Sequence, residues 1–183
     1  MPDPISTLEK PDRAENSDDI ATNLIRMLYV SQVYSAEAFG YVLETFTNLT
    51  ADQKRKFEAC RLLEITVSQR LLRRLTDDLS LTIRPPSRAR QAAASLAPPR
   101  DGTWFDYMTE LEAAATRGIQ GARALKTLYQ TQDANLCATL LASRMALRDF
   151  ARDELDGQTQ RSLHPILALL SSEDRSAVAA VVG

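Results

Sequence analysis

Glu64 is the residue on which chemistry could turn. It lies within KRKFEACRLLEITVSQRLLRRL, residues 54 to 75. At about 100° per residue, Phe57, Cys60, Val67, Leu71 and Leu75 share one helical stripe, and Glu64 falls near its middle. A bare carboxylate among apolar neighbours costs several kcal/mol, roughly, so Glu64 must be paired, metal-bound or protonated. Two further glutamates sit on the flanks of apolar stripes. Glu37 lies among Val33, Tyr34, Gly40 and Tyr41, and Glu112 lies beside Phe105 and Met108, whereas Glu110 points away. Paired carboxylates on facing helices hold hard cations.

Other catalytic chemistries are poorly supplied. His164 is the only histidine in 183 residues, so neither a His-rich metal site nor a Ser-His-Asp triad can be built freely. Cys60 and Cys137 sit in separate helical patterns without metal-ligand spacing and read as small buried hydrophobes. Net charge is −2 with a pI near 5.5, which argues against nucleic acid and anionic lipid as partners. No apolar run approaches the roughly 20 residues of a membrane span. The opening MPDPISTLEKPDRAENSDD lacks the charged-then-apolar order of a signal peptide, so a cytoplasmic location is expected.

The elements that must position these residues read as helices, rich in Ala, Leu, Arg and Glu and poor in glycine. Residues 1–16 form a polar, proline-containing arm ahead of one domain, residues 17–183. A first helix to about Asn48 carries Ile20, Leu24, Met27, Tyr34, Ala38, Val42 and Leu49 on its expected core face. Val30, Val33, Leu43 and Phe46 add a second apolar flank. Thr50 and Gln53 make a capping box for a second helix to about Leu79. The long link at 83–102, with four prolines and four arginines, reads as a solvated crossover. Thr103 and Asp106 start a third helix to about Tyr129, with Trp104, Met108, Leu111, Ala115, Ile119 and Ala122 inward. A fourth, about Asp133 to Leu155, points Leu136, Leu140, Leu147, Phe150 and Ala151 inward and stops at Gly157. Two short helices follow. Tyr34, Tyr41 and Trp104 are expected to fill core volume.

Four long helices with a long crossover between the second and third resemble the ferritin-like, di-iron carboxylate variant of the four-helix bundle. That resemblance implies an all-α bundle in which Glu37, Glu64 and Glu112 stand at the first three carboxylate positions. It also marks departures. Val67 stands where the second helix would carry histidine, and Arg144 and Leu147 replace the glutamate and histidine of the fourth helix. Arg144 has apolar neighbours in Cys137, Leu140, Leu147 and Ala151, and a guanidinium offers five donors suited to carboxylates. The expectation is that Arg144 reaches the bundle centre and pairs with Glu64, with Glu37 or Glu112 sharing it; the competing expectation is that it snorkels to the surface.

The leading reading is a non-catalytic accessory, scaffold or small-molecule-binding protein without cofactor, its metal replaced by an Arg–carboxylate network. The alternative is a di-iron or di-manganese oxidoreductase or hydroxylase holding iron or manganese on Glu37, Glu64 and Glu112. A third is a plain helical interaction module in which the three glutamates do not converge. The apolar breadth of the first helix permits a homodimer or a protein partner.

Overall fold

Helix formers and capping boxes set the boundaries of the elements. The computed structural model describes residues 17–78, 102–128 and 134–181, with isolated positions between 80 and 94. The N-terminal arm, 1–16, and most of the 83–102 link lie outside the described residues. Every regular element among those described is helical: α1 (Ser17–Thr45), α2 (Ala51–Arg73), α3 (Trp104–Leu128), α4 (Ala134–Leu155), α5 (His164–Leu167) and α6 (Ser172–Ala180). None is long and apolar enough to cross a membrane.

Local chemistry explains the ends. Thr50 accepts from the Gln53 amide while the Gln53 side chain accepts from the Thr50 amide, starting α2. Thr103 and Asp106 do the same for α3, and Ser171 and Asp174 for α6. α2 loosens into a π-helical turn over Arg74–Asp78, short of the expected end at Leu79. α4 closes in a Schellman pattern: Gly157 takes φ 74°, and the Gln158 amide donates to the Asp153 carbonyl at 2.7 Å.

Helix directions follow from who touches whom. Phe46, past the end of α1, packs edge-on against Tyr107 at the start of α3, with ring centroids 5.5 Å apart. Leu28, early in α1, meets α3 at Gly121. α1 and α3 are therefore antiparallel. Phe57, at the start of α2, contacts Trp104 and Tyr107, so α2 and α3 start at the same end. Lys56 pairs with Glu154, Glu64 with Arg144, and Arg70 with Thr139, which makes α2 and α4 antiparallel. The order is up, down, down, up. α1 packs mainly on α2 and α3 on α4, and α5 and α6 close against α2 and α4.

One core cluster runs through the bundle, and the expected inward faces of α2 and α4 are the buried ones. α1 differs. Its buried stripe is Ile25, Tyr29, Gln32, Ala36, Val42 and Phe46, while Met27 of the expected core face is 68% exposed and Ile20 is also exposed. The core face is neither expected flank: Ile25, Tyr29, Gln32 and Ala36 belong to neither, Val42 comes from the first and Phe46 from the second. The first expected face, through Met27, Tyr34 and Ala38, lines a groove between α1 and α3.

Candidate functional site

At one level of the bundle, each long helix contributes one residue to a central contact. Glu64 of α2 is 1% exposed. Its two oxygens accept from Nη1 and Nη2 of Arg144 on α4, at 2.9 and 2.8 Å. Gln32 of α1, equally buried, accepts a further bond from Nη2. On α3 the contributor is Gly118. A Cβ there would lie 2.6 Å from Cδ of Arg144 and 3.2 Å from both Cγ and Nε. The missing side chain is what lets the arginine stem cross to the acid. A guanidinium fork matched to a carboxylate, with a third acceptor, is the strong form of a buried ion pair.

Burial pushes the Glu64 carboxyl above its ordinary range, and the Arg144 charge and hydrogen bonds pull it back. Burial also pushes the Cys60 thiol well up, and the neighbouring negative Glu64 and Glu154 push it further. Cys60 is a protonated, fully enclosed thiol, unsuited to nucleophilic work.

The arginine stem is locked at both ends, so it cannot swing aside for an added methyl. Gly→Ala inside a helix ordinarily stabilises by roughly 0.5–1 kcal/mol. Gly118→Ala is expected to destabilise instead, by about 1–3 kcal/mol, as overpacking does. On an Arg144→Ala background the same change should become neutral or stabilising; chemical denaturation of the four proteins checks this.

The pair forms part of the floor of a groove of about 1000 Å³ between α1 and α3. Val30, Ala38, Phe39, Phe57 and Leu111 give it apolar walls, and Ser31, Tyr34, Ser35 and Thr109 add hydroxyls. Arg26, Asp106, Glu110 and Arg117 stand exposed at its rim. Phe57 belongs to an aromatic cluster with Phe39, Trp104 and Tyr107, centroids 5.0 to 6.0 Å apart, which stiffens that end.

Of the residues singled out in the sequence, Glu64 and Arg144 are brought together, and Glu37 and Glu112 are not. Glu112 pairs with Arg152 at 2.5 Å on the opposite, solvent-facing side of α3 and α4. Glu37 is half-buried and makes no ion pair with another described residue. The helical repeat gives the reason. Glu37 is about 140° round α1 from Gln32, and Glu112 about 120° round α3 from Gly118. Neither can share Arg144. The ligand set Glu37, Glu64 and Glu112 is therefore not assembled, and among the described residues no three His, Cys, Asp or Glu side chains converge. With both Glu64 oxygens held by a guanidinium, this donor set does not suit iron or manganese.

A second buried cluster has no counterpart in the sequence reading. Lys56 Nζ sits 2.8 Å from Glu154 Oε1 and 2.6 Å from Asp52, and Lys56 itself is only 2% exposed. Trp104 Nε1 donates to Glu154 Oε2 at 2.9 Å, and the Ser162 hydroxyl donates to Oε1. Both residues repeat the signal that marks Glu64: Lys56 leads into Cys60, Leu63 and Val67, and Glu154 follows Leu147, Phe150 and Ala151. The two ion pairs have opposite polarity along α2, acid on α2 at one level and base at the other. A one-turn slip of α4 would part both pairs and leave buried charges without partners, which fixes one register.

No protein-family model, curated protein or solved structure matches the chain.

Proposed function

We propose that this is a non-catalytic ferritin-like bundle that binds a small molecule in the α1–α3 groove, with a fixed guanidinium where relatives of that architecture would hold metal. The observation that carries the reading is the convergence of Gln32, Glu64, Gly118 and Arg144, one from each long helix, on a contact whose ion pair, Glu64 with Arg144, forms part of the groove floor. The up, down, down, up order supports the bundle assignment, because a long link between α2 and α3 is what lets them run parallel. The groove's size and mainly apolar lining, with a few convergent polar groups, are those of a small-molecule site.

The same cluster supports a binding role over a redox one. A guanidinium carries a permanent charge and no redox chemistry, and it fixes the groove floor without a cofactor. That neither Glu37 nor Glu112 reaches the central pair favours a second reading, a plain helical interaction module whose likeness to ferritins is accidental. In that case the groove has no small-molecule occupant and the buried pair serves register alone.

A thermal-shift screen of amphipathic metabolites separates the two. At a hundred times Kd a ligand adds about 2.7 kcal/mol, which for a chain of this size raises Tm by roughly 5–10 °C. Stabilising compounds are expected for the native protein and not for Ala114→Phe, which fills the groove from its α3 wall. Identical shifts in both proteins would sink the groove as the site. Elemental analysis is expected to find far less than one iron or manganese ion per chain; about two would overturn the metal-free reading.

A further inference from the structure

The groove is electrically lopsided along its length. On α3 the acidic lining residues Asp106 and Glu110 come first, and the basic one, Arg117, comes last. Asp106 and Arg117 lie about 16 Å apart along the axis. Because α1 runs antiparallel to α3, its basic lining residue Arg26 belongs to the same end as Arg117, where Leu28 meets Gly121. Arg144, in the floor, is neutralised by Glu64. Arg26 and Arg117 are exposed and make no ion pair with another described residue. Among the described residues, that end therefore offers positive charge with no carboxylate paired to it, together with the hydroxyls of Ser31, Tyr34 and Ser35. Beyond it the walls turn apolar, through Ala38, Phe39, Phe57 and Leu111, and Asp106 and Glu110 stand exposed on the rim at that same end. On α1 the lining runs from Arg26 to Val42, a span of about 24 Å.

From this pattern we infer that the groove takes a long-chain carboxylate, an acyl chain of fatty-acid type. The inference rests on the small-molecule reading above and adds to it the class of ligand. The carboxylate lies towards Arg26 and Arg117, where two guanidinium groups supply charge-assisted hydrogen bonds. The chain lies along the apolar walls towards Phe39 and Phe57. Asp106 and Glu110 repel a headgroup at the far end and so set the direction of binding. A cationic or neutral amphiphile of the same length fills the same walls but loses the headgroup contact.

Trp104 is the only tryptophan and packs on Phe57 with centroids 5.0 Å apart, so its emission reports on the chain end of the groove. Full-length, delipidated protein is titrated with palmitate, hexadecanol and hexadecylammonium. Palmitate is expected to bind tightest and to saturate at one molecule per chain. The double variant Arg26→Glu/Arg117→Glu is expected to weaken palmitate by about tenfold or more and to favour the ammonium compound. Both positions are exposed, so its thermal stability should match the native protein. Ala114→Phe should abolish binding of all three. If charge reversal leaves palmitate unchanged, or the ammonium compound binds the native protein as well as palmitate does, the ligand class is wrong while the groove reading stands. If Ala114→Phe leaves binding intact, both fall. If none of the three binds, the acyl assignment falls and the thermal-shift screen decides the groove.

Discussion

Arg144→Ala is expected to lose about 3–5 kcal/mol of stability, the cost of stripping one partner from a buried ion pair. Total stability of a domain is only about 5–15 kcal/mol, so this variant should be close to unfolding. The loss comes from Glu64 and Gln32, which keep their burial and lose their donor. It should also depend on pH. In the native protein burial already raises the Glu64 carboxyl above 4.5, with Arg144 opposing the shift. Removing Arg144 removes the opposing influence, so the folded-state pKa climbs further above the unfolded value. A group raised on folding stabilises most below its unfolded pKa and loses that contribution as pH rises through the folded one. The variant should therefore approach native stability in acid and fall increasingly behind as pH rises above 4.5. Urea denaturation of both proteins across this range checks the sign. Arg144→Lys should recover only part of the loss, because an ammonium cannot make the bidentate contact.

Lys56→Met is expected to cost a comparable amount, about 3 kcal/mol or more. The stranded group is Glu154, whose side chain is 1% exposed and keeps only the Trp104 and Ser162 donors. The reverse change, Glu154→Gln, should cost less, roughly 1–2 kcal/mol, as for a single buried hydrogen-bonding defect. Asp52 still neutralises the ammonium, and an amide oxygen can still accept from Trp104 or Ser162. Ser162 joins this cluster to the C-terminal segment, where Leu163, Ile166, Leu170 and Val178 are buried. Amide exchange should therefore accelerate first over residues 162–180 in Lys56→Met, ahead of global unfolding. Uniform acceleration across α1 to α4 would argue that the cluster does not anchor that segment.

These two clusters also show what could be read from the chain and what could not. Glu64 is legible because five apolar residues define its stripe and nothing competes with it. α4 is legible for the same reason, and the capping boxes at Thr50 and Thr103 mark helix starts by local chemistry alone. α1 is apolar over so much of its circumference that periodicity does not single out the stripe of Ile25, Tyr29, Gln32 and Ala36 that enters the core, and Gln32 is hidden by that ambiguity. Glu37 and Glu112 look inward because their immediate neighbours are apolar. Which side of a helix faces the centre is set by the register against its partners, which no single helix contains. Lys56 and Glu154 sit on clean stripes but at their ends, where charged residues are usually solvated caps. Gly118 reveals its purpose only when the arginine stem is seen crossing it.

The Arg144 guanidinium and the Glu64 carboxylate act as one unit at the centre of the bundle. A double-mutant cycle on Glu64→Met and Arg144→Met measures this directly. The prediction is two costly single changes and a double variant within about 1 kcal/mol of the native protein, since well-packed apolar replacement of a buried pair is often neutral. Additivity of the two changes to within about 0.5 kcal/mol would contradict it.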